Sequence, residues 1–241
     1  SKAWSVWSDS SDPWWHQFCR LESHWDKIDY NCVDMRFMGN WPVCFDSHLV
    51  PEKNCIVYSF GIDYDFRFDD AMAAAGCTVF SFDPSMNVSD HQRSKQVTFK
   101  AIGLSGTDND MFSPRLNSYV TSPTTWRMRR LSSIMKQLGH REGDIAVIKI
   151  DIEGSEWDVV HDLLGTGSGL ASVPQLLIEW HAFTDFPPRS RYTEMLRDYA
   201  TLESAGFRKF WTRDEGRTHF IGRLHSQAET AFVNSHYLSG P

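Results

Sequence analysis

The stretch Ile-Ala-Val-Ile-Lys-Ile-Asp-Ile-Glu-Gly-Ser-Glu, residues 145–156, decides the fold. Its first six residues are almost all apolar, which is typical of a strand buried on both faces of a parallel sheet. Ser155 is a favourable first residue for the amphipathic helix that residues 155–164 predict. The stretch therefore indicates one strand–turn–helix unit, the building block of an α/β fold.

The same alternation continues on both sides of this stretch. Further buried strands are predicted at residues 55–61, 77–82, 97–103 and 176–180. Further helices are predicted at residues 66–75, 126–138 and 192–204, and a loop or small hairpin at 106–125. The last two strands, at 207–212 and 218–224, are separated by a turn at 214–216, so the final one should run antiparallel. The pattern predicts a doubly wound, Rossmann-like sheet of about seven mostly parallel strands.

Residues 1–54 form a predicted N-terminal extension with one or two short helices, and 55–241 the main α/β domain. The extension holds six of the ten tryptophans within its first 41 residues. These rings either bury apolar area as a cap on the sheet or offer platforms for sugar rings.

Composition narrows the class of partner. The chain has 241 residues, is 41% hydrophobic and 23% charged, and carries a net charge of -7. This negative net charge argues against a nucleic acid as partner, because proteins that bind nucleic acids usually carry an excess of positive charge. No apolar run approaches the roughly 18 residues of a membrane span, so a membrane contact would need a targeting segment absent from this chain.

The five cysteines contain no C-x-x-C pair. Cys19, Cys32 and Cys44 could provide one disulfide in a secreted protein, whereas Cys55 and Cys77 are expected to behave as buried apolar residues. One N-glycosylation sequon, residues 87–89, is present.

Ligands of such sheets bind at the carboxyl ends of the strands. Gly61 ends the first strand there, in a loop that lacks the further glycines of a dinucleotide fingerprint at positions 63 and 66. Asp83 ends the second strand, where a carboxylate can accept hydrogen bonds from ribose hydroxyls. The carboxylates of Asp63 and Asp65 would tolerate a cation such as a sulfonium.

The fourth and fifth strands end in a second group of titratable residues. Lys149, Asp151 and Glu153 alternate and so share one side, and Glu179 and His181 do the same on the next strand. Buried like charges are costly unless cations or a metal compensate them. Glu156 could be only a first-turn carboxylate favoured by the helix dipole. The Arg127–Arg130 cluster is expected on the solvated face of a helix.

These segments together resemble S-adenosylmethionine-dependent methyltransferases of the FkbM / methyltransferase-domain-22 type. The resemblance covers roughly residues 30–225, and its most specific piece is Lys-Ile-Asp-Ile-Glu-Gly-Ser-Glu. The segments that carry it are residues 39–44, 57–62, 66–72, 82–86, 148–156 and 178–181.

The resemblance implies a class I methyltransferase fold and O-methylation of a hydroxyl, with a hexose of a glycan as the expected acceptor, in the Golgi lumen or secretory pathway. S-adenosylmethionine would bind at Phe60, Gly61, Ile62, Asp83, Pro84, Gly103, Leu104 and Asp151. His181 is expected as the general base, with Glu179 and Asp151 as catalytic partners. Glu153, Trp180 and Trp41 are expected to contact the acceptor. Asp151, Glu153 and Glu179 are expected as ligands of a divalent cation, Mg²⁺, Mn²⁺ or Ca²⁺.

Three alternatives remain at this point. One is a catalytically inactive module of the same fold that binds glycans or protein partners. Another is an O-methyltransferase of a non-sugar small molecule. The third is a nicotinamide-dependent dehydrogenase, but the glycines missing at positions 63 and 66 argue against it.

Overall fold

The computed structural model describes residues 14–46, 49–116, 120–166, 170–183, 186–217 and 225–238. The first part of the predicted extension and the strand predicted at 218–224 lie outside these ranges. The helices are α1 (Trp14–Trp25), α2 (Arg67–Ala74), α3 (Leu131–Leu138), α4 (Glu156–Thr166) and α5 (Tyr192–Ser204). The strands are β1 (Met35–Met38), β2 (Trp41–Cys44), β3 (Ile56–Phe60), β4 (Thr78–Phe82), β5 (His91–Gln92), β6 (Val97–Lys100), β7 (Gly103–Leu104), β8 (Asn109–Phe112), β9 (Trp126–Arg129), β10 (Ile145–Ile150), β11 (Gln175–His181), β12 (Phe207–Arg217) and β13 (His225–Asn234).

An eight-stranded sheet forms the centre of the protein, in the order β12-β13-β11-β10-β3-β4-β6-β5. The five strands from β11 to β6 in that order run parallel to their neighbours, and β13 is antiparallel to both β11 and β12. The chain winds outward in opposite directions from β3 and β10, so a crevice opens between their carboxyl ends. The predicted Rossmann-like α/β class is confirmed.

Burial explains why the central strands were predictable. All six residues of β10 are buried, and so are four of the five in β3. Ile148 and Leu176 pack on one face of the sheet and Val147 and Leu177 on the other, all without exposure to water. Burying such side chains stabilises each strand by roughly 1.5–3 kcal/mol per residue relative to exposure.

Two predicted elements differ from the structure. Residues 126–129 form β9, which pairs with β7 and β8 in a separate three-stranded sheet, so the predicted helix begins only at Leu131. Arg127 and Arg129 of the cluster therefore lie on a strand, and Arg130 caps the start of α3. Arg129 pairs with Asp110, and Arg130 with Asp162. Residues 214–216 continue β12 rather than forming a turn, and the last strand begins at His225.

The N-terminal segment contributes to the same core. Three side chains of α1 are at most 1% exposed and belong to the same hydrophobic cluster as residues of α5: Phe18, Leu21 and Trp25. The backbone of Cys44 in β2 exchanges two hydrogen bonds with the side-chain amide of Gln175 on β11. The boundary between extension and domain at residue 54 stays a prediction.

Two disulfides join the described cysteines. Cys32 is bonded to Cys44, which agrees with the disulfide expected in the N-terminal region. Cys55 is bonded to Cys77, so the expectation that these two act as buried apolar thiols is wrong. They begin the neighbouring segments of β3 and β4, where the parallel register brings their Cα atoms within 4.5 Å. Cys19 is exposed and carries a free thiol.

Within the described part of the chain, no helix has both the length and the apolar character needed to cross a bilayer.

Candidate active site

The turn after β3 is shaped by Gly61. Its φ is +78°, a backbone conformation that glycine adopts without strain, and a Cβ there would lie 1.6 Å from the carbonyl oxygen of Asp151. The Gly61 amide donates to the carbonyl of Phe82 at 3.0 Å. The turn therefore lies directly against the chain leaving β10 and joins the ends of three strands.

Asp83 anchors this turn from the end of β4. Its Oδ2 accepts hydrogen bonds from the amides of Ile62 and Asp63 at 2.8 and 2.9 Å. Its Oδ1 accepts from the amide and hydroxyl of Ser85 at 2.7 and 2.6 Å. These four bonds use the roughly four lone-pair sites of a carboxylate. Asp83 thus organises the loop, and a ribose hydroxyl would have to replace or share one of these donors.

A cavity of about 810 Å³ opens at the carboxyl ends of β3, β4 and β10. This size lies in the usual range of small-molecule and cofactor sites. Of the predicted cofactor-binding residues, those that line the cavity are Gly61, Ile62, Asp83, Pro84, Gly103, Leu104 and Asp151. A Cβ at Gly103 would meet the Met128 sulfur at 2.3 Å, so a side chain there would have to displace the end of Met128.

Phe60 is a correction among these residues. Its ring is fully buried and stacks on Phe82 with centroids 4.6 Å apart. Only its carbonyl belongs to the site, where it accepts from the amide of Asp151 at 3.1 Å and from Lys149 Nζ at 3.2 Å. The side chain therefore belongs to the core and does not line the cavity.

Lys149 connects the two loops. It is 5% exposed, and its ammonium donates to the carbonyls of Phe60 and Gly61. The same nitrogen lies 3.5 Å from Asp151 Oδ2 and 5.2 Å from the centre of the Trp41 ring. Trp41 itself is only 2% exposed but forms part of the cavity wall, where it was expected to contact the acceptor.

The acidic turn 151–155 contains an unusual backbone. Glu153 has a φ of +59°, and Gly154 follows with +100°. A non-glycine residue in this region costs of order 1–3 kcal/mol and is typical of functional sites. Glu153 lines the cavity with its side chain about one-third exposed.

Glu156, at the start of α4, holds this turn from inside. It is fully buried, and its two oxygens accept from the amides of Ile152 and Gly154 at 2.7 and 2.8 Å. Oε1 also lies 3.0 Å from Nδ1 of His181. Glu156 therefore does more than interact with the helix dipole, because its side chain links the acidic turn to the end of β11.

His181 and Glu179 lie behind the cavity wall and not on it. His181 is 1% exposed, and its Nε2 is 3.6 Å from Glu179 Oε1 and 4.0 Å from Glu153 Oε2. Gln227 of β13, which lines the cavity, donates to Glu179 at 3.4 Å. Of the three residues predicted to be catalytic, Asp151 lines the cavity, whereas His181 and Glu179 approach it through Glu153 and Gln227.

Electrostatics opposes the role of His181 as general base. Burial alone would lower its pKa, but the charge and hydrogen bond of Glu156, with Glu179 and Asp151, raise it to about 10. An imidazolium at neutral pH has no lone pair to accept a proton. Burial, and then the charge of Asp151, raise the pKa of Glu179 to about 8. These surroundings favour the protonated form of His181 while no ligand is bound, and its role as general base stays a prediction.

The structure brings together a set of possible metal ligands that differs from the predicted set. Asp151, Glu153 and His181 each offer a ligand atom, and these atoms lie within 4.8 Å of one another. Glu179, which was expected in this set, lies outside that group.

Trp180 is the other correction. Its ring is fully buried against Trp157 and Tyr199, at centroid distances of 4.4 and 5.3 Å, and its Nε1 donates to Thr230. Successive strand residues point to opposite faces, so Trp180 points into the core while its neighbours Glu179 and His181 point towards the site. It cannot touch an acceptor.

Several cavity residues were not predicted. Phe183 and Phe186 follow β11, where the strand-end rule alone could have indicated them. Phe112, Trp126 and Gln227 come from β8, β9 and β13. No local sequence signal indicates these three, since their positions depend on strand pairing that the sequence pattern misassigned.

The strand order, the antiparallel β13 and the acidic crevice at the strand ends define a class I, Rossmann-like methyltransferase fold. A family model described as a methyltransferase domain matches residues 5–217, so the chain belongs to the methyltransferase-domain-22 family. S-adenosylmethionine is the cofactor that this family and fold imply.

Curated relatives agree with this assignment. The chain is 31% identical over 147 residues to probable methyltransferase-like protein 24 of Homo sapiens, and 30% identical to the protein of the same name from Rattus norvegicus. The match covers 58% of this chain and 38% of each relative.

Solved structures give only a distant likeness. An uncharacterized protein from Listeria monocytogenes serotype 4b matches with a TM-score of 0.39 and 12% identity, covering 77% of this chain and 64% of that one. A 16S rRNA (adenine(1408)-N(1))-methyltransferase from Catenulisporales acidiphilia matches with a TM-score of 0.38 and 12% identity, covering 78% and 91%.

The residues present fit S-adenosylmethionine. Gly61 and Gly103 line the cavity without side chains, so a ligand can approach their backbone closely. Carboxylates of Asp63, Asp83 and Asp151 at the cavity wall suit a cationic sulfonium and the polar groups of the cofactor. Burial, and then the neighbouring charges of Asp83 and Asp151, raise the pKa of Asp63, which shows how negative this wall is.

Proposed function

We propose that this domain methylates a hydroxyl group of a sugar, most readily a hexose in a glycan, with S-adenosylmethionine as methyl donor. The observation that carries the proposal is the lining of the cavity, which combines aromatic rings with carboxylate side chains. Those rings belong to Trp41, Phe68, Phe82, Phe112, Trp126, Phe183 and Phe186. Aromatic rings offer an apolar surface to the C–H face of a sugar, while carboxylates accept hydrogen bonds from its hydroxyls.

The same lining disfavours a phosphate-bearing acceptor. Asp63, Asp83, Asp151 and Glu153 all contribute to the cavity wall, and the whole chain carries a net charge of -7. A nucleic acid would meet repulsion here and would release little counterion free energy on binding. A neutral polyol meets no such penalty.

Asp151 and Glu153 are the residues proposed to hold the acceptor. Both have carboxylate oxygens at the cavity wall, and Lys149 fixes Asp151 through a contact of 3.5 Å. When bound, S-adenosylmethionine supplies a methyl group on a positively charged sulfur. The reacting hydroxyl gives its proton to one of the two carboxylates. Holding the acceptor oxygen in line supplies much of the rate in such transfers.

The proposed compartment is the secretory pathway, with the Golgi lumen as the place where glycans are modified. The two disulfides support an oxidising compartment, because cytosolic thiols are kept reduced. Asn87, Val88 and Ser89 form an exposed sequon after β4. Expression through a secretory pathway should give a chain whose mass falls on treatment with peptide N-glycosidase, and Asn87→Gln should remove that change.

The cofactor half of the proposal is tested by calorimetry. The wild-type domain should bind S-adenosylmethionine and S-adenosylhomocysteine, and Asp83→Ala should abolish binding because it removes the carboxylate that holds the Gly61 turn. Phe37→Ser is a matched control, since this side chain is 54% exposed on the small β1–β2 sheet and does not line the cavity.

The acceptor half is tested with isotopically labelled methyl donor and a panel of glycans, free hexoses and non-sugar alcohols. Label recovered on a hexose hydroxyl is the expected result. Label recovered only on non-sugar alcohols would contradict the choice of acceptor. Cofactor binding without transfer to any of the panel would favour an inactive binding module instead.

A further inference from the structure

Four carboxylates converge between the end of β10, the start of α4 and the end of β11. They belong to Asp151, Glu153, Glu156 and Glu179. Lys149, at 3.5 Å from Asp151, and His181 lie against this group. Glu156 is fully buried, and the side chain of Glu179 is 13% exposed. Carboxylates gathered at this spacing are a favourable place for a bound cation.

The Nε2 atom of His181 is the second, independent feature. The atom is shielded from water and has no hydrogen-bond partner among the described residues. It points towards the carboxylates, at 3.6 Å from Glu179 and 4.0 Å from Glu153. An unpartnered buried nitrogen is rare, and it asks for an explanation such as an ion at that position.

Glu156 prepares this nitrogen for coordination. It accepts from two backbone amides, and its 3.0 Å contact with His181 places a ring proton on Nδ1. A histidine that donates Nδ1–H to a carboxylate presents Nε2 as its metal-binding atom, and a metal ion bound there replaces the Nε2 proton of the imidazolium, which is released to solvent. The carboxylate–histidine pair is therefore built before any metal arrives.

We propose that Asp151, Glu153 and His181 bind a divalent transition-metal ion, with Mn²⁺ as the fitting example, through one oxygen of each carboxylate and Nε2 of the imidazole. The ligand atoms lie within 4.8 Å of one another. Ligands about 2.1 Å from one ion are at most about 4.2 Å apart, so small side-chain rotations complete the site. The remaining coordination positions face the cavity and take a hydroxyl oxygen of the acceptor, a role that rests on the proposed function.

The donor set separates this metal from the alkaline-earth ions. Mg²⁺ and Ca²⁺ prefer all-oxygen sites, whereas an imidazole nitrogen favours first-row transition metals. We therefore expect Mn²⁺ to bind more tightly than Mg²⁺ or Ca²⁺. The second oxygen of each carboxylate is left for the acceptor.

The experiment is a titration of the chelator-treated, disulfide-intact domain with Mn²⁺, followed by electron paramagnetic resonance in the absence of cofactor and acceptor. One ion should bind per chain, and spin-echo modulation should show one coordinated imidazole nitrogen. Glu153→Gln should weaken binding at least tenfold, because it replaces a charged ligand at a partly exposed position that tolerates substitution. Asp63→Asn is the matched control: it removes a cavity carboxylate outside the cluster, at a φ of +43° that asparagine accepts, and should leave Mn²⁺ binding unchanged.

Three results would overturn the site: no Mn²⁺ bound by folded protein, full binding retained by Glu153→Gln, or a bound ion without nitrogen modulation. The last would mean that His181 serves only as a buried counter-ion of the carboxylates. Methyl transfer by the metal-free domain would reject the catalytic role of the ion and leave the proposed function standing. Metal binding without methyl transfer to any sugar would support the metal site and contradict the proposed function.

Discussion

Nδ1 of His181 lies 3.0 Å from Oε1 of Glu156, and both side chains are shielded from water. This contact joins the end of β11 to the start of α4. The same carboxylate accepts from the amides of Ile152 and Gly154, so one buried side chain fixes both the acidic turn and the imidazole. The geometry of the site therefore depends on a residue that cannot itself touch a ligand.

Glu156→Gln should destabilise the domain. A side-chain amide has one acceptor oxygen where the carboxylate has two, so it cannot satisfy both backbone amides and His181 together. Breaking a buried ion pair on one side costs about 3–5 kcal/mol in free energy of unfolding. Denaturant unfolding with the disulfides intact measures this loss. Glu153→Gln, at a partly exposed position of the same turn, should change the stability by less than about 1 kcal/mol; an equal loss in both variants would contradict the role of Glu156.

Gly61→Ala should abolish cofactor binding and lower stability, and Gly76→Ala separates the two causes. Both glycines have positive φ, at +78° and +98°. A Cβ at Gly76 meets nothing within 4 Å, whereas one at Gly61 would lie 1.6 Å from the carbonyl oxygen of Asp151. Gly76→Ala therefore carries only the strain of a left-handed residue, about 1–2 kcal/mol.

Thermal unfolding and cofactor calorimetry on both variants test this difference. Gly76→Ala should bind S-adenosylhomocysteine like the wild type. Gly61→Ala should lose both more stability and the binding, because its turn must move away from β10. Normal binding by Gly61→Ala would show that the turn does not contact the cofactor.

The elements that the sequence predicted well are those whose signal is local. The predicted ranges for β10 and α5, residues 145–150 and 192–204, agree with the structure at both ends. Residues 126–129 were assigned to a helix because their side chains continue the pattern of α3. Their pairing with β7 and β8 is a long-range interaction, which overrides weak local preference.

The candidate site shows the same difference between features set by local sequence and features set by long-range contacts. The strand-end rule placed Gly61, Asp83 and Asp151 at one edge of the sheet, and the structure brings them to one cavity. The charge of His181 could not be predicted from its motif, because it depends on Glu156, which precedes it by 25 residues and contacts it only in the folded chain. Titration behaviour follows from three-dimensional surroundings and is not written in a strand-end motif.

Removal of the Cys55–Cys77 disulfide should lower stability without affecting the cavity. The bond closes a loop over a sequence separation of 22 residues at the amino ends of β3 and β4, opposite the carboxyl ends that form the site. Chain entropy predicts a loss of about 3 kcal/mol for a loop of this size. The double variant Cys55→Ala/Cys77→Ala should show this loss and retain cofactor affinity. Cys19→Ser, at an exposed free thiol, should match the wild type, and an unchanged stability of the double variant would contradict the expectation.

Lys209 on β12 is a buried cation away from the cavity. Its Nζ donates to the carbonyl of Trp25 and to the hydroxyl of Tyr199, both at 2.9 Å, and to the carbonyl of His24. It thereby satisfies carbonyls at the end of α1, which otherwise lack partners within the helix. Burial lowers the pKa of Lys209 to about 8, although the charges of Glu203 and Asp29 oppose this change.

The pKa of Lys209 predicts a rise of stability with pH that depends on this one side chain. Its folded pKa of about 8 lies below the ordinary value of 10.5, so between these values the unfolded chain binds more protons than the folded one. The free energy of unfolding then increases with pH, since its slope follows the difference in bound protons. The contribution is fully present above pH 10.5 and is lost as the pH falls towards 8.

Lys209→Met should be less stable throughout, because it leaves the carbonyls of α1 without a donor, and should lack this rise. The measurement is the wild-type minus variant difference in unfolding free energy between pH 7 and pH 10.5, in which other groups with unchanged surroundings cancel. A difference that stays constant across this range would mean that Lys209 titrates alike in the folded and unfolded chains, and would contradict the burial of its charge.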